Sequence, residues 1–525
     1  MIKIGQSLLR DTRPSRLIWL PILGCALGLG FVATTHADTK NNILLIIADD
    51  YGVDSSSLYN TNASAVLPPT PNINALAQQG VLFENAYANP VCSPTRACII
   101  TGRYGFRTGV GTAIGGGGSG TLAASEFTLP EAISAAGTGH AMAQFGKWHL
   151  ALGANSPANI GGWTNFAGSI GGAVTNYFSW PKNVNGVTTS SYTNYATTDV
   201  VDDAVAWINA RGTNHWFAWV AFNAGHTPLH KPPTNLAPSY ASLPGTTMHI
   251  NNNQSLYFDA MLEAMDTEIG RLLSAVSLTN THVIFIGDNG TDRRTIQPPF
   301  TSNHAKGTVY EGGVHVPWIV AGPAVTTPGE TNFTPVHVVD LFATILEMAG
   351  TSAAAVVPTN VTLDSQSILS TTTTGANDSR LIYSEVFETP ASTNDQRALR
   401  DSRYKLIQFA DGREEFYDLQ IDPVELTDLS GTLTSEQQAY RDRLQFWLYG
   451  YSTNSGVTIS NAAASGGQFS CSVNELGSYA LWRCEDLATQ FWSPVTNAIK
   501  TTNGSVVTIT DPTPATDKAF YSVVK

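Results

Sequence analysis

Continuous apolar runs that stop at polar or charged residues set the pattern of this chain. Asn42 to Ala48 is apolar after its first residue and ends at Asp49-Asp50, which predicts a parallel strand buried on both faces. Thr281 to Gly287 repeats the pattern and ends at Asp288-Asn289, and His215 to Phe222 reads as another buried strand. Val81 to Tyr87, His140 to Phe145 and Val316 to Ala321 are shorter strand candidates. Between them, helices are predicted over Pro71 to Gln79, Leu129 to Ala135, Thr198 to Ala210 and Thr334 to Met348. A longer one runs from Ser255 to Val276, where Leu256, Met261, Leu262, Met265, Ile269, Leu272 and Leu273 recur at helical spacing, so its methionines are core packing. Strands alternating with helices predict an α/β fold. The pattern changes after residue 375: Leu381 to Val386, Gln396 to Phe409 and Glu415 to Leu419 predict a smaller antiparallel sheet, followed by a helix from Ser435 to Tyr449. The stretch from Asn155 to Thr197, rich in Gly, Asn, Ser and aromatics, is expected to form loops at a substrate mouth. Gly115 to Gly120 is a flexible loop with neither the Lys nor the spacing of a phosphate cradle.

Ligands of open α/β sheets gather outside the carboxyl ends of strands, which is where this chain places its acids. Adjacent carboxylates repel unless something positive separates them, so Asp49-Asp50 is either a metal-binding pair or a pair of solvated turn acids. The second acid-bearing strand end favours the metal. Asp49, Asp50, Asp288 and Asn289 are hard oxygen donors with no Cys or His pattern beside them, which favours Ca²⁺ and places Mg²⁺ second. Cys92 precedes a Pro-primed helix start at Ser93 or Pro94, with Arg96 one turn on. Free N–H groups, the helix dipole and the guanidinium there describe an anion site, whereas the plainer reading is a buried structural Cys.

At 525 residues the chain exceeds one typical domain and suits a large α/β enzyme with a smaller appended unit. Its 42% hydrophobic and 10% aromatic residues are those of a globular protein. Residues 1–37 place Lys3, Arg10, Arg13 and Arg16 before the apolar run Leu17 to Val32 and end in Thr35-His36-Ala37, which reads as a secretory signal peptide. Pro21 interrupts the run, which disfavours a spanning helix. Cys25 also resembles a bacterial lipoprotein cleavage site, ranked second. Removing this segment takes the formal charge from −13 to −16, which disfavours nucleic acid or anionic membrane as a partner. Cys98 is a core residue of the Cys92 helix, and Cys471 with Cys484 is a plausible disulfide in an oxidising compartment.

Longer strings carry a resemblance. Cys92-Ser93-Pro94-Thr95-Arg96 followed by Thr101-Gly102 resembles the signature of the type I sulfatases, with all its fixed positions present. Gly146-Lys147-Trp148-His149-Leu150 is similar to a second family string, with Ala151 where Gly is usual. Gly225-His226-Thr227-Pro228, Lys306-Gly307 with Glu311-Gly312-Gly313, and the stretch Tyr417 to Glu425 resemble three more. The resemblance runs from about Asn42 to Leu429. It implies an alkaline phosphatase-like mixed sheet sandwiched by helices, with a smaller C-terminal antiparallel sheet. The organisation expected is a signal peptide over 1–37, a catalytic domain over 38–375, an α+β subdomain over 376–455 and a small β-rich appendage over 456–525.

The resemblance implies a hydrolase of sulfate monoesters, of an aryl sulfate or a sulfated glycan, and the signal peptide implies export, periplasmic or secreted. The resemblance also implies that Cys92 is converted by a formylglycine-generating enzyme to 3-oxoalanine (formylglycine), whose hydrate attacks sulfur and itself joins Asp49, Asp50, Asp288 and Asn289 as a ligand of the metal. Arg96 would steady the hydrate, and Lys147 and Lys306 would hold sulfate oxygens. His226 would protonate the leaving alcohol, and His149 would take the proton that restores the aldehyde. Two rivals stand beside this: a phosphodiesterase or phosphonate monoester hydrolase of the same superfamily, and a non-catalytic surface sugar-binding protein using Trp482 and Trp492.

Overall fold

The structure, a computed structural model, describes residues 40–115, 120–372, 380–389, 391–452, 459–465, 468–473, 480–484, 493–503, 506–512 and 520–524. The expected signal peptide, most of the Gly115 to Gly120 loop and Trp492 lie outside them. Residues 40–437 form one compact unit, and the chain from Gln438 onward belongs to another.

The first unit is built on a ten-stranded sheet. In chain order its strands are β1 (Asn42–Ala48), β2 (Gly80–Phe83), β3 (Ala141–Gly146), β4 (Phe166–Gly168), β5 (Trp180–Val184), β6 (Val187–Tyr192), β7 (Trp216–Ala221), β8 (Thr281–Gly287), β9 (Trp318–Ala321) and β10 (Thr331–Asn332). Their lateral order is β10-β2-β9-β8-β1-β7-β3-β4-β5-β6. The central four, β8, β1, β7 and β3, are mutually parallel, so their carboxyl ends meet at one edge. Pairing of Ala48 with Gly287, Ile47 with Ala221 and Gly146 with Ala221 brings Asp49, Asp288, Phe222 and Lys147 side by side just beyond it. Their side chains are buried on both faces, as the unbroken apolar runs predict.

Helices flank the sheet. Those that matter for the site are α1 (Cys92–Thr101), α2 (Ala196–Asn209) and α3 (Gln254–Leu273). Every residue of α1 is buried; it packs against the helices Leu129–Ala135 and Leu341–Met348, while α2 packs on α3 and β7.

Several expected elements differ: the strand expected over Val81 to Tyr87 is two, Gly80–Phe83 and Ala86–Tyr87, and that over Gln396 to Phe409 is a hairpin of two. The stretch from Asn155 to Thr197 is not loops alone, because it supplies β4, β5 and β6 and extends the main sheet. The signal was present: Asn185-Gly186 sits between two strand-forming stretches, and both residues have positive φ, 48° and 90°, as a two-residue hairpin turn requires. Lys182 of β5 then ties the hairpin to α2 through Asp199 and Asp203 at 2.6 and 2.7 Å. The helix expected from Thr334 starts late. Val336–His337 instead pairs with Ala86–Tyr87, and the His337 ring accepts from the Val339 amide at 3.2 Å, capping a 3-10 turn before helix Leu341–Met348.

A four-stranded antiparallel sheet, Ile382–Val386, Gln396–Arg400, Tyr404–Phe409 and Glu414–Asp418, completes this unit. In the second unit a four-stranded and a three-stranded antiparallel sheet follow the helix Ser435–Ser452. Trp482 is buried there against Phe446, ring centroids 5.5 Å apart, which removes it as an exposed sugar platform. The Cys471 side chain, and with it the expected disulfide, lies outside what is described. Among the described residues no helix is long and apolar enough to cross a membrane.

Helix α3 carries Asp259, fully buried with neither carboxylate oxygen hydrogen-bonded among the described residues. Burial, with Asp54 nearby, pushes its pKa up to about 8. An unfolded Asp titrates near 4, so between those values the folded chain holds a proton that the unfolded chain has lost, and stability falls as pH rises through that window. Asp259→Asn is therefore expected to raise the Tm by about 2 °C or more at pH 8, and by less at pH 5, in thermal scans.

Candidate active site

The edge formed by β8, β1, β7 and β3 collects three carboxylates and three cations in pairs. Arg96 reaches Asp288 at 2.7 Å and Lys147 reaches Asp49 at 2.5 Å, all four side chains fully buried. The Lys306 ammonium donates to Asp50 Oδ1. Backbone bonds fix the acids: Asp288 N donates to Ala48 O at 3.0 Å, and Gly225 N to Asp49 O at 2.7 Å.

Pairing does not use every oxygen. Asp49 Oδ1 and Asn289 Oδ1 are buried with no hydrogen-bond partner among the described residues. The Asn289 amide nitrogen donates to Asp50 Oδ1 and Gly290 O, both at 2.9 Å, so its oxygen is the atom left over. Ligand atoms of Asp49, Asp50 and Asp288 lie within 4.8 Å of one another. Burial and the neighbouring Asp288 raise the Asp49 carboxyl well above the ordinary range against the pull of Lys147. Burial raises Asp50 too, but Lys306, His226 and Lys147 outweigh it and hold that carboxyl below the usual range. Crowded hard donors with orphaned oxygens fit an oxygen-seeking cation.

Cys92 occupies the first turn of α1. Its Sγ lies 3.1 Å from His149 Nδ1. His149 Nε2 sits 2.9 Å from the Ile114 carbonyl, which can only accept, so Nε2 carries the proton and Nδ1 faces Cys92 bare. Burial, with Lys147 and Arg96 nearby, pushes His149 down to about 3, keeping the ring neutral. Its backbone stands at φ 56°, and a Cβ on Gly172 would meet its ring at 2.3 Å, so only glycine fits there. His226 is half-buried; its Nδ1 donates to Thr227 O at 2.9 Å. Burial lowers it to about 4, Lys147 and Lys306 adding to the effect and Asp50 opposing it.

All ten residues singled out from the sequence thus fall in one neighbourhood. Sequence reading missed the groups that hold them. Ser93 Oγ donates to His149 O at 2.9 Å and accepts from Ile114 N at 3.1 Å, tying the segment that fixes the His149 tautomer to α1. Gln144 Nε2 donates to Lys147 O at 3.0 Å, and Arg96 reaches the same carbonyl at 2.9 Å. The Tyr177 hydroxyl lies 2.5 Å from Asn223 O and 2.7 Å from His226 O.

A paired-charge site at the carboxyl edge of an α/β sheet, with crowded oxygen donors beside Cys92, fits a metal-assisted ester hydrolase. The family profile described as Sulfatase matches residues 41–351, and the one described as N-sulphoglucosamine sulphohydrolase, C-terminal, matches residues 302–449. The chain belongs to the sulfatase family, enzymes that hydrolyse sulfate esters by means of a formylglycine and a divalent metal. It is 28% identical over 516 residues to a sulfatase of Formosa agariphila, covering 81% of this chain and 92% of that one. It is 29% identical over 398 residues to the human N-acetylgalactosamine-6-sulfatase, covering 67% and 69%. Among solved structures, Ps i-CgsB in complex with k-i-k-neocarrahexaose shares the fold with a TM-score of 0.66 at 23% identity, over 79% of this chain and 93% of that one.

Ser93→Ala removes a buried hydroxyl and leaves the His149 carbonyl and the Ile114 amide unpaired, a change of order 1–3 kcal/mol. The expected outcome is a Tm lower by about 2–4 °C and turnover lower by about tenfold or more, because His149 loses its register with Cys92. Unchanged values in both assays would remove Ser93 as a positioning residue.

Proposed function

We propose that this enzyme hydrolyses sulfate monoesters of saccharides, using a formylglycine made from Cys92 and Ca²⁺, with Mg²⁺ as second choice, held by Asp49, Asp50, Asp288 and Asn289. The observation that carries the reading is the pair of orphaned buried oxygens, Asp49 Oδ1 and Asn289 Oδ1, in a site whose other charges are matched one to one. The saccharide is favoured by the human relative, named for N-acetylgalactosamine 6-sulfate chemistry.

When bound, the metal and the aldehyde supply charge neutralisation and a nucleophilic hydroxyl at position 92. The residues of the chain do the rest. Arg96, locked on Asp288, fixes the acid edge against α1. With their carboxylates otherwise neutralised, Lys147 and Lys306 have charge available for sulfate oxygens, where they oppose the negative charge that builds up as the S–O ester bond breaks. His226 lies close enough to feel Asp50, Lys147 and Lys306. It is neutral in the resting site; an arriving sulfate raises its proton affinity, and the proton it then carries passes to the departing oxygen, giving the alcohol. His149, neutral with Nδ1 facing position 92, is set to accept the proton whose removal frees the second product, inorganic sulfate. Residues 1–37 fit export of the chain through a signal peptide.

Two outcomes test this. Protein made in a host that carries the converting enzyme should be about 18 Da lighter than its sequence at the peptide bearing Cys92, as thiol becomes aldehyde. Fully active protein with an unmodified thiol would refute the mechanism. Chelator treatment should abolish hydrolysis of N-acetylgalactosamine 6-sulfate and lower the Tm, with Ca²⁺ restoring both. Stoichiometric zinc in active enzyme free of Ca²⁺ and Mg²⁺ would contradict the assignment of the ion.

A further inference from the structure

The turn after β7 carries His226 and, four residues on, His230. His230 Nδ1 lies 3.1 Å from Pro228 O, which can only accept, so Nδ1 bears the proton and Nε2 accepts from the Tyr195 hydroxyl at 3.0 Å. The ring is stacked on Tyr177 with centroids 4.2 Å apart, and burial pushes its pKa down to about 4. Tyr177 is the residue whose hydroxyl reaches the His226 carbonyl at 2.7 Å. Its neighbour Phe178 lies outside this layer, 5.1 Å from the Tyr195 ring and edge-on to His230 at 5.5 Å. Phe178 is 41% exposed, whereas Tyr177 and Tyr195 are buried. A large apolar ring is thus held open to solvent against the buried Tyr195 ring and the partly buried, uncharged His230 ring.

We infer that Phe178 is a specificity-determining residue: its exposed ring is the surface on which the pyranose bearing the sulfate stacks, with Tyr195 and His230 as its rigid backing. The division of chemistry carries this. Sulfate oxygens belong with Lys147 and Lys306, while a pyranose presents C–H groups on one face, which pack on an aromatic ring and gain nothing from a cation. The shelf is tied through Tyr177 to the backbone carbonyl of His226, the residue proposed to protonate the leaving oxygen, and on this reading the alcohol half lies toward Phe178. Backing by the buried Tyr195 ring and by His230, itself stacked on Tyr177, means that little conformational freedom remains to be lost when substrate binds. The inference rests on the saccharide sulfate reading above and deepens it.

The test compares Phe178→Ala and Phe178→Trp with the unaltered metal-loaded enzyme, on N-acetylgalactosamine 6-sulfate and on 4-nitrophenyl sulfate, with inorganic sulfate as competitive inhibitor. Loss of one exposed ring contact is expected to raise KM for the saccharide sulfate about 3- to 10-fold with kcat within about twofold. The inhibition constant of inorganic sulfate, which has no ring, should not move, and Phe178→Trp should keep KM near its original value. A KM that rises only for 4-nitrophenyl sulfate would overturn the pyranose assignment. Unchanged KM for both sulfates, or a matching loss of inorganic sulfate affinity, would overturn the shelf. Absence of turnover of either sulfate by the unaltered enzyme would instead overturn the sulfate-ester reading.

Discussion

Three carboxylates buried within reach of one another are the constraint on which this molecule depends. Asp49, Asp50 and Asp288 could not stay ionised side by side in a dry interior, since desolvation and mutual repulsion both oppose it. Each is therefore met by its own cation, and the cations come from distant parts of the chain: Lys147 from the end of β3, Arg96 from α1, and Lys306 from the loop after β8. Much of the topology serves that meeting. β1 must lie between β8 and β7 for Asp49 to sit beside both Asp288 and the His226 turn, and α1 must be buried along its whole length for Arg96 to reach in from the side. The balance is uneven: Asp50 is held ionised, while Asp49 is pushed toward its neutral form. Asp49 also bears an orphaned oxygen, so it is the carboxylate with most to gain from a further positive charge.

Much of this was legible in the sequence. The two runs that end in Asp49-Asp50 and Asp288-Asn289 announce buried parallel strands with acids at one edge, because unbroken apolar stretches of that length have nowhere to go but a sheet covered on both faces. Pro94 marks the start of α1 within two residues. The Cys92 and Lys147 strings bring their residues to the same neighbourhood as the acids, which is the content of the resemblance.

The rest was not legible, for physical reasons. Ser93, Gln144 and Tyr177 hold the site through side-chain hydrogen bonds to backbone groups, and Ile114 through its carbonyl; such bonds leave no periodicity in the sequence. The hairpin of β5 and β6 was hidden for a different reason: β6 is exposed along most of its length, so it lacks the apolar alternation that identifies a strand. Only the Asn185-Gly186 pair betrayed it. The late start of the Leu341–Met348 helix turns on His337 acting as a cap, a role histidine seldom fills.

Backbone conformation adds a layer that residue types conceal. Asp50 and His149 both stand at φ 56°, a region that costs a side-chain-bearing residue of order 1–3 kcal/mol unless the surroundings overdetermine it. The surroundings do so here. Asp50 is pinned between the Lys306 ammonium and the Asn289 amide, with its own backbone N–H on Asp288 Oδ1 at 3.2 Å. His149 is pinned at its ring by Ile114, at its carbonyl by Ser93 and at its amide by Ile170 O, 3.1 Å away, with Gly172 against its ring. Relaxing either turn would redirect the carboxylate or the imidazole away from these partners. The strain is therefore held by the same bonds that assemble the charges.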